Sequence, residues 1–424
     1  MTKLVDLDEK AAEAIVEQLR GGSPPQHSAS AYSAGYEDFL GSVRRRHLES
    51  DPVAGKIRFI HGSWGSGKTH FFRLLTEEAV GAGWLVSSVE LSAQETPFNK
   101  FELVLFSIIR NIAPPESLGT IGASAPFGNV LRSALDREAG VSGDLPSAVQ
   151  RLSERLFSDP AIDIDVKRVV RAYWETFAGE SQDERVLEER RGMLLQWFAG
   201  ESHKTTMRNE FGIQKAVSKE NARTILTSLT ALIQLLGFKG LLVLFDESEM
   251  THSTMSKSNL KQAHNNLLYL LNETGQVPGL FLLYAAVPEF FTDPKTGVLI
   301  YGALAARIGT PPGHPPKALD KVWNLDAEKT TDPASYEDAA LKIRRLYEIA
   351  YPGDQGRLLS VEDLRRRIGT VVEQHGPYER TSRWRVVIKE TTKLLDLGIH
   401  EEELPEPAES YRETVSFLKK VGDD

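Results

Sequence analysis

The octapeptide GSWGSGKT at positions 62–69 constrains this chain of 424 residues more than any other segment. It follows the pattern of a glycine, four residues and then Gly-Lys-Thr, which is typical of a backbone loop that wraps around phosphate groups. An apolar run at 56–61 precedes it, and a helical pattern begins after Lys68. The sequence therefore predicts a strand, a phosphate-binding loop and a helix in direct succession.

Each residue type in this loop suits phosphate binding. The glycines allow a tight turn that directs backbone N–H groups at anionic oxygens, and the following helix points its positive end at them. Lys68 is expected to contact the β- and γ-phosphates of ATP, and Thr69 to ligate Mg²⁺ through its hydroxyl. The predicted nucleotide-binding residues here are Gly62, Ser63, Trp64, Gly65, Ser66, Gly67, Lys68, Thr69 and His70.

Two acids end a second apolar run, GLLVLFDE at 240–247. ATPases with such a loop need an acid on a neighbouring strand to hold the magnesium shell, and Asp246 is the candidate, with Thr69, for the metal. Glu247 is the candidate general base that polarises the attacking water. The alternative is a strand that simply ends in solvent.

The apolar run at 279–287 departs from what fast hydrolysis favours. Hydrolytic enzymes of this type often carry a polar residue at this strand end to contact the γ-phosphate. Ala285 and Ala286 stand there instead, and Tyr284 is the polar residue on the run. This departure weakens the case for fast, well-sensed turnover.

Cationic partners for the γ-phosphate are sought among three arginines. Arg307 is a candidate arginine finger that reaches the nucleotide of a neighbouring subunit, which implies a homo-oligomer. Arg383 is a candidate lid sensor within the same subunit, with Arg385 ranked behind it. The alternative for each is a surface ion pair.

Apolar runs that alternate with helical patterns predict an α/β fold with a mostly parallel sheet, of the P-loop NTPase class. We assign residues 1–50 to an N-terminal helical segment and 51–310 to an ATPase core. A large helical insertion is expected at about 99–235. Residues 311–424 are assigned to a helical C-terminal domain.

Composition excludes several other classes. Hydrophobic residues at 41% and charged residues at 26% are typical of a globular protein, and no apolar run is long enough to span a membrane. The absence of cysteine excludes disulfides, thiol nucleophiles and Cys-ligated zinc. A net charge of -9 argues against coating of nucleic acid by bulk charge. The first ten residues lack the apolar centre of a secretory signal, so a cytoplasmic location is expected.

Beyond the generic loop, long stretches of the chain resemble one family. The segments 15–40, 59–75, 86–112, 238–249 and 382–398, and the AVPEFF and YGALAARI motifs between the last two, are similar to the P-loop proteins of BREX-type phage-defence loci, of the BrxD type. The resemblance covers about 12 to 398 in order. The LR-G-PP and ETPF segments point to this family more specifically than the loop does.

The resemblance carries its own implications. It implies an AAA+-like ATPase core (of the ASCE division) related to origin-recognition proteins, a helical lid and a winged-helix-like C-terminal part. It also implies a role in antiviral defence on or beside DNA, with a helicase or nuclease as partner. Gly35 and Tyr36 occupy the place of a segment that helps to hold adenine in the related ATPases.

Two functions remain open at this point. The first is an ATP-hydrolysing, oligomerising machine. The second is a nucleotide-gated scaffold with negligible turnover, which Ala285, Ala286 and the acidic net charge favour. A P-loop kinase or GTPase is less favoured, because no guanine-reading motif is present.

Overall fold

The computed structural model describes residues 7–25, 27–113, 126–179, 183–201, 204–246, 255–327, 332–376 and 382–421. The chain forms two compact units. The first unit comprises 1–46, 60–81 and 310–424, and the second comprises 47–59 and 82–309. Each unit is therefore assembled from segments that are far apart in the sequence.

The strands are β1 Lys56–His61, β2 Leu85–Glu90, β3 Ile112–Ala113, β4 Leu241–Asp246, β5 Leu280–Ala286 and β6 Val322–Asn324. They are ordered β3-β2-β4-β5-β1-β6 in one sheet. Strand β4 runs parallel to both β2 and β5, and β3 is antiparallel to β2. Every residue of β5 is buried, as expected of a strand that is covered on both faces. The predicted α/β fold with a mostly parallel sheet is confirmed.

The helices up to the end of the insertion are α1 Glu9–Arg20, α2 Glu37–Val43, α3 Lys68–Gly81, α4 Phe101–Arg110, α5 Pro126–Ser142, α6 Leu145–Ser158, α7 Ile164–Glu175, α8 Glu184–Phe198, α9 Lys204–Phe211 and α10 Ala222–Leu235. They are followed by α11 Lys257–Glu273, α12 Pro288–Thr292, α13 Gly302–Ile308, α14 Pro333–Ala350, α15 Val361–Gln374, α16 Arg383–Ile399 and α17 Pro407–Val421. None of the described helices is long and apolar enough to cross a membrane.

Local chemistry explains where α1 begins and which face it buries. Asp8 caps the helix by accepting a hydrogen bond from the Ala11 N–H at 2.8 Å, which satisfies a free donor of the first turn. The apolar residues Ile15, Val16 and Leu19 form a buried stripe at helical spacing. This stripe packs within the first unit, where α1 contacts α14 and α16.

The region between β2 and β4 is helical, from α4 to α10, with the two-residue strand β3 as its one described strand. Buried polar contacts hold it together. The Trp174 indole donates to the Leu131 carbonyl at 3.0 Å, and the buried Asp165 carboxylate accepts from the backbone N–H groups of Gln214 and Lys215. These contacts tie α7 to α5 and to the segment after α9 within the second unit.

The described residues after β6 contain helices and turns but no strand. Helices α14 to α17 share a buried apolar cluster whose members include Tyr336, Leu364, Ile368, Val387 and Leu394. The described residues therefore support a helical C-terminal part. They do not include the strands that a winged helix would have.

Candidate nucleotide site

Residues 62–69, here named the phosphate loop, have the backbone shape that the motif predicts. Gly65 and Gly67 adopt φ values of +73° and +93°, which side chains rarely tolerate. Gly62 is required for a different reason, because a Cβ added there would lie 2.3 Å from Ser66 Oγ. The loop therefore closes tightly between β1 and α3.

Lys68 lies inside this loop and is only 7% exposed. Its ammonium donates to the Gly62 carbonyl at 2.8 Å and to the Ser63 carbonyl at 3.1 Å. Buried Ser66 Oγ has no hydrogen-bond partner among the described residues. A buried cation whose partners are neutral carbonyls, beside an unused hydroxyl and a helix N-terminus, suits an incoming anion.

An acid that sequence reasoning missed contacts the start of the loop. Asp326 follows β6, and its carboxylate accepts from the Ser63 N–H at 2.5 Å and from the Ser63 hydroxyl at 3.1 Å. No motif signals this contact, because the two residues are separated by 263 positions in the chain.

The start of α16 lies against the middle of the loop. A Cβ added at Gly65 would lie 3.2 Å from Ser382 Cβ and 3.6 Å from Arg385 Cδ. Arg383 points elsewhere: its guanidinium donates to the His375 carbonyl and lies 5.7 Å from the centre of the Tyr336 ring. Of the two predicted sensor arginines, Arg385 is therefore the one next to the loop, although the sequence ranked it second.

Tyr36 also contacts the loop region. Its ring is buried and lies 5.7 Å from that of Phe71, and its hydroxyl lies 3.8 Å from the position of a Cβ at Gly67. Burial, with smaller contributions from Tyr336 and Asp326, raises the pKa of Tyr36, so the phenol stays neutral. Gly35 adopts a φ of +84°, which turns the chain into α2. Tyr36 is thus placed against Gly67.

His70 serves the packing of α3. Its Nδ1 lies 3.0 Å from the Tyr32 hydroxyl and its Nε2 lies 3.0 Å from Ser33 Oγ. Burial lowers the pKa of His70 to about 4, so the imidazole is neutral at pH 7. Both ring nitrogens therefore have partners in the segment before α2, at Tyr32 and Ser33.

Asp246, one of the two predicted acids, lies in the second unit. Asp246 ends β4 directly opposite Glu90 of β2, and its carbonyl accepts from the Leu91 N–H at 3.0 Å. Glu247, the predicted general base, lies outside the described residues. No group of three or more His, Cys, Asp or Glu side chains forms a metal site within the described ranges. From the protein, a magnesium ion at a phosphate loop needs only a hydroxyl and one acid, because phosphate oxygens and water complete its coordination.

The end of β5 and the candidate finger lie in the same unit. Ala285 and Ala286 are completely buried, and Tyr284 packs 5.5 Å from the Phe98 ring. Arg307 is exposed near the end of α13, where it donates to Asn272 Oδ1 at 2.7 Å and to the Ala303 carbonyl at 3.1 Å. Arg307 is therefore held at the surface of the second unit.

The mostly parallel sheet and the glycine-rich loop between β1 and α3 define a P-loop nucleotide-binding protein. A family model described as BREX system ATP-binding protein BrxC/D matches residues 7–415, and the chain belongs to this family. This match confirms the resemblance in the sequence and makes the protein an ATP-binding component of a BREX system. Comparisons with curated proteins and with solved structures found no match.

Proposed function

We propose that this protein binds ATP with Mg²⁺ at the phosphate loop and hydrolyses it as an AAA+-like component of a bacterial anti-phage defence system. It would act on or beside DNA with a helicase or nuclease partner. The observation that carries the proposal is the buried Lys68 ammonium, which has only carbonyl partners among the described residues. The helices after β6 support the helical lid of such an ATPase.

The catalytic roles follow from residue chemistry. Thr69 and Asp246 would hold the magnesium ion, Glu247 would orient and deprotonate the attacking water, and Lys68 would bind the β- and γ-phosphates. The position of Arg385 beside Gly65 supports a role for this arginine at the γ-phosphate, ahead of Arg383.

Two substitutions test the proposal. Lys68→Ala should lower ATP affinity by at least about 100-fold, since it removes charge-assisted hydrogen bonds to phosphate. Glu247→Gln should keep ATP bound without turnover, because the amide cannot accept the proton. Calorimetric titration and phosphate release measure the two effects, with exposed Lys317→Ala as the control. Unchanged ATP affinity in Lys68→Ala would reject the proposal.

A second candidate function is a nucleotide-gated scaffold that binds ATP as a switch and turns over negligibly. The complete burial of Ala285 and Ala286 at the end of β5 favours it, because these two residues supply no polar side chain there. Phosphate release by the pure protein, with and without DNA, decides between the two. DNA-stimulated hydrolysis would exclude the scaffold, whereas retained ATP with no product would support it.

A further inference from the structure

The carboxylate of Asp326 holds both donors of one phosphate-loop residue. Its Oδ2 lies 2.5 Å from the Ser63 nitrogen and its Oδ1 lies 3.1 Å from Ser63 Oγ. Asp326 is exposed, so burial does not force it into this place. Charge-assisted hydrogen bonds of this kind are about twice as strong as neutral ones.

The sheet fixes the place of this carboxylate. The Leu325 N–H donates to the His61 carbonyl at 2.8 Å, which ties the residue before Asp326 to the residue before the phosphate loop. The Asn324 side-chain oxygen accepts from the Asp326 N–H at 3.0 Å and lies 2.8 Å from His61 Nδ1. The backbone at Asp326 is therefore held by hydrogen bonds of its two preceding residues to the end of β1.

Peptide geometry transmits this contact to Lys68. The Ser63 N–H and the Gly62 carbonyl belong to one planar trans peptide, so they point in opposite directions. When Asp326 holds the N–H, the Gly62 carbonyl is turned the other way, where it accepts from the Lys68 ammonium at 2.8 Å. The Ser63 carbonyl accepts from the same ammonium at 3.1 Å.

We infer that Asp326 is a positioning residue for the phosphate-binding lysine: it sets the orientation of the Gly62–Ser63 peptide and, through it, the place of the Lys68 ammonium. Asp326 acts through the loop and does not itself touch nucleotide. This inference rests on the proposed binding of ATP at the phosphate loop.

The experiment compares full-length wild type, Asp326→Ala and Asp326→Asn by calorimetric titration with ATP and with AMP. Asp326→Ala should lower ATP affinity about tenfold, as expected for the loss of a hydrogen bond to a charged group. Asn keeps an oxygen that accepts from the Ser63 N–H, so Asp326→Asn should restore most of the affinity. AMP affinity should stay constant, because AMP lacks the phosphates that Lys68 contacts.

Asp320→Ala is the matched control, since its carboxylate also accepts a backbone N–H, that of Lys317 at 2.9 Å, on the segment before β6. Thermal unfolding without nucleotide establishes that each variant folds. If Asp326→Ala does not fold, the Asn variant carries the test, and a loss of ATP affinity in it as large as that of Lys68→Ala would overturn the inference. Unchanged or increased ATP affinity in Asp326→Ala, or equal losses for ATP and AMP, would also overturn it. Wild type that fails to bind ATP would overturn the proposed function itself.

Discussion

His70 shows, at the scale of a single residue, how packing beside the phosphate loop links folding to pH. Burial lowers its pKa to about 4, whereas an exposed histidine titrates near 6.5. Between these values the unfolded chain binds a proton that the folded chain does not. The stability that neutral His70 contributes is therefore fully present above pH 6.5 and is lost as the pH falls towards 4.

A His70→Gln variant tests this linkage. Glutamine can still bond to Tyr32 and Ser33 but does not titrate, so the free energy of unfolding should fall less steeply than in wild type between pH 7 and 4.5. Urea unfolding at a series of pH values measures the slope, with exposed His400→Gln as the control. Parallel pH profiles for wild type and His70→Gln would contradict the predicted shift. His264, whose pKa burial also lowers to about 4, leaves a residual slope in both proteins.

Residue spacing alone predicts the phosphate loop, because a short local motif encodes its whole shape. It cannot predict Asp326 on Ser63, because that contact exists only once β6 lies beside β1. Nor could it separate Arg383 from Arg385. These two residues lie two positions apart on α16, and only the direction of each side chain distinguishes them.

At the scale of elements, one arginine joins the first helix of the chain to the last part of the first unit. Arg20 ends α1 and donates from Nε and Nη2 to the carboxylate of Asp396 on α16, at 3.0 and 2.6 Å. Tyr351 and Tyr347 complete the cluster: Arg20 Nη1 donates to the Tyr351 hydroxyl at 3.0 Å, and the Tyr347 hydroxyl donates to Asp396 at 2.8 Å. The guanidinium can donate to Asp396 and Tyr351 at the same time because its several N–H groups lie in one plane and point in different directions.

Arg20→Ala should therefore lower the free energy of unfolding by about 1–3 kcal/mol. Arg20→Lys should not restore it, because an ammonium cannot form the two-pronged contact with Asp396. Chemical denaturation monitored by circular dichroism measures both, against the exposed Arg412→Ala. Full stability of the Lys variant would show that charge alone suffices.

The longer elements are those that the sequence predicts. Strands β1, β2, β4 and β5 have six or seven residues, enough to form a visible apolar run between turn residues. Strands β3 and β6 have two and three residues, which is too short for any periodicity. Beyond about 311 the sequence predicts a proline-rich stretch followed by helices, with no strand. Pairing with a neighbour, which single-segment patterns cannot show, creates these two strands.

At the scale of the whole molecule, each compact unit combines segments that are far apart in the sequence. The sequence suggests domain boundaries near 50 and 310. Contacts in the structure group 60–81, with the phosphate loop, in one compact unit with 1–46 and 310–424. Contacts such as Arg20 to Asp396, which lie 376 positions apart, hold that unit together and leave no trace in local composition.

Arg307 belongs to a prediction about assembly. If it acts as a finger towards the nucleotide of a second copy, a non-hydrolysable ATP analogue should shift the mass of wild type to that of an oligomer. Arg307→Ala should keep ATP binding but lose turnover by about 10³-fold, the usual scale for such arginines. Native mass measurement and phosphate release test both statements, with Arg412→Ala as the control. If the protein has the mass of a monomer both with and without the analogue, Arg307 cannot act on the nucleotide of a second copy.

Trp64 gives the phosphate loop an optical property of its own. Four of the six tryptophans, Trp84, Trp174, Trp197 and Trp323, are at most 1% exposed, whereas Trp64 is 61% exposed. A collisional quencher dissolved in water should therefore extinguish the emission of Trp64 far more readily than that of these four. Quenching of the native Trp64 fluorescence can thus follow nucleotide binding and release at the phosphate loop without a label.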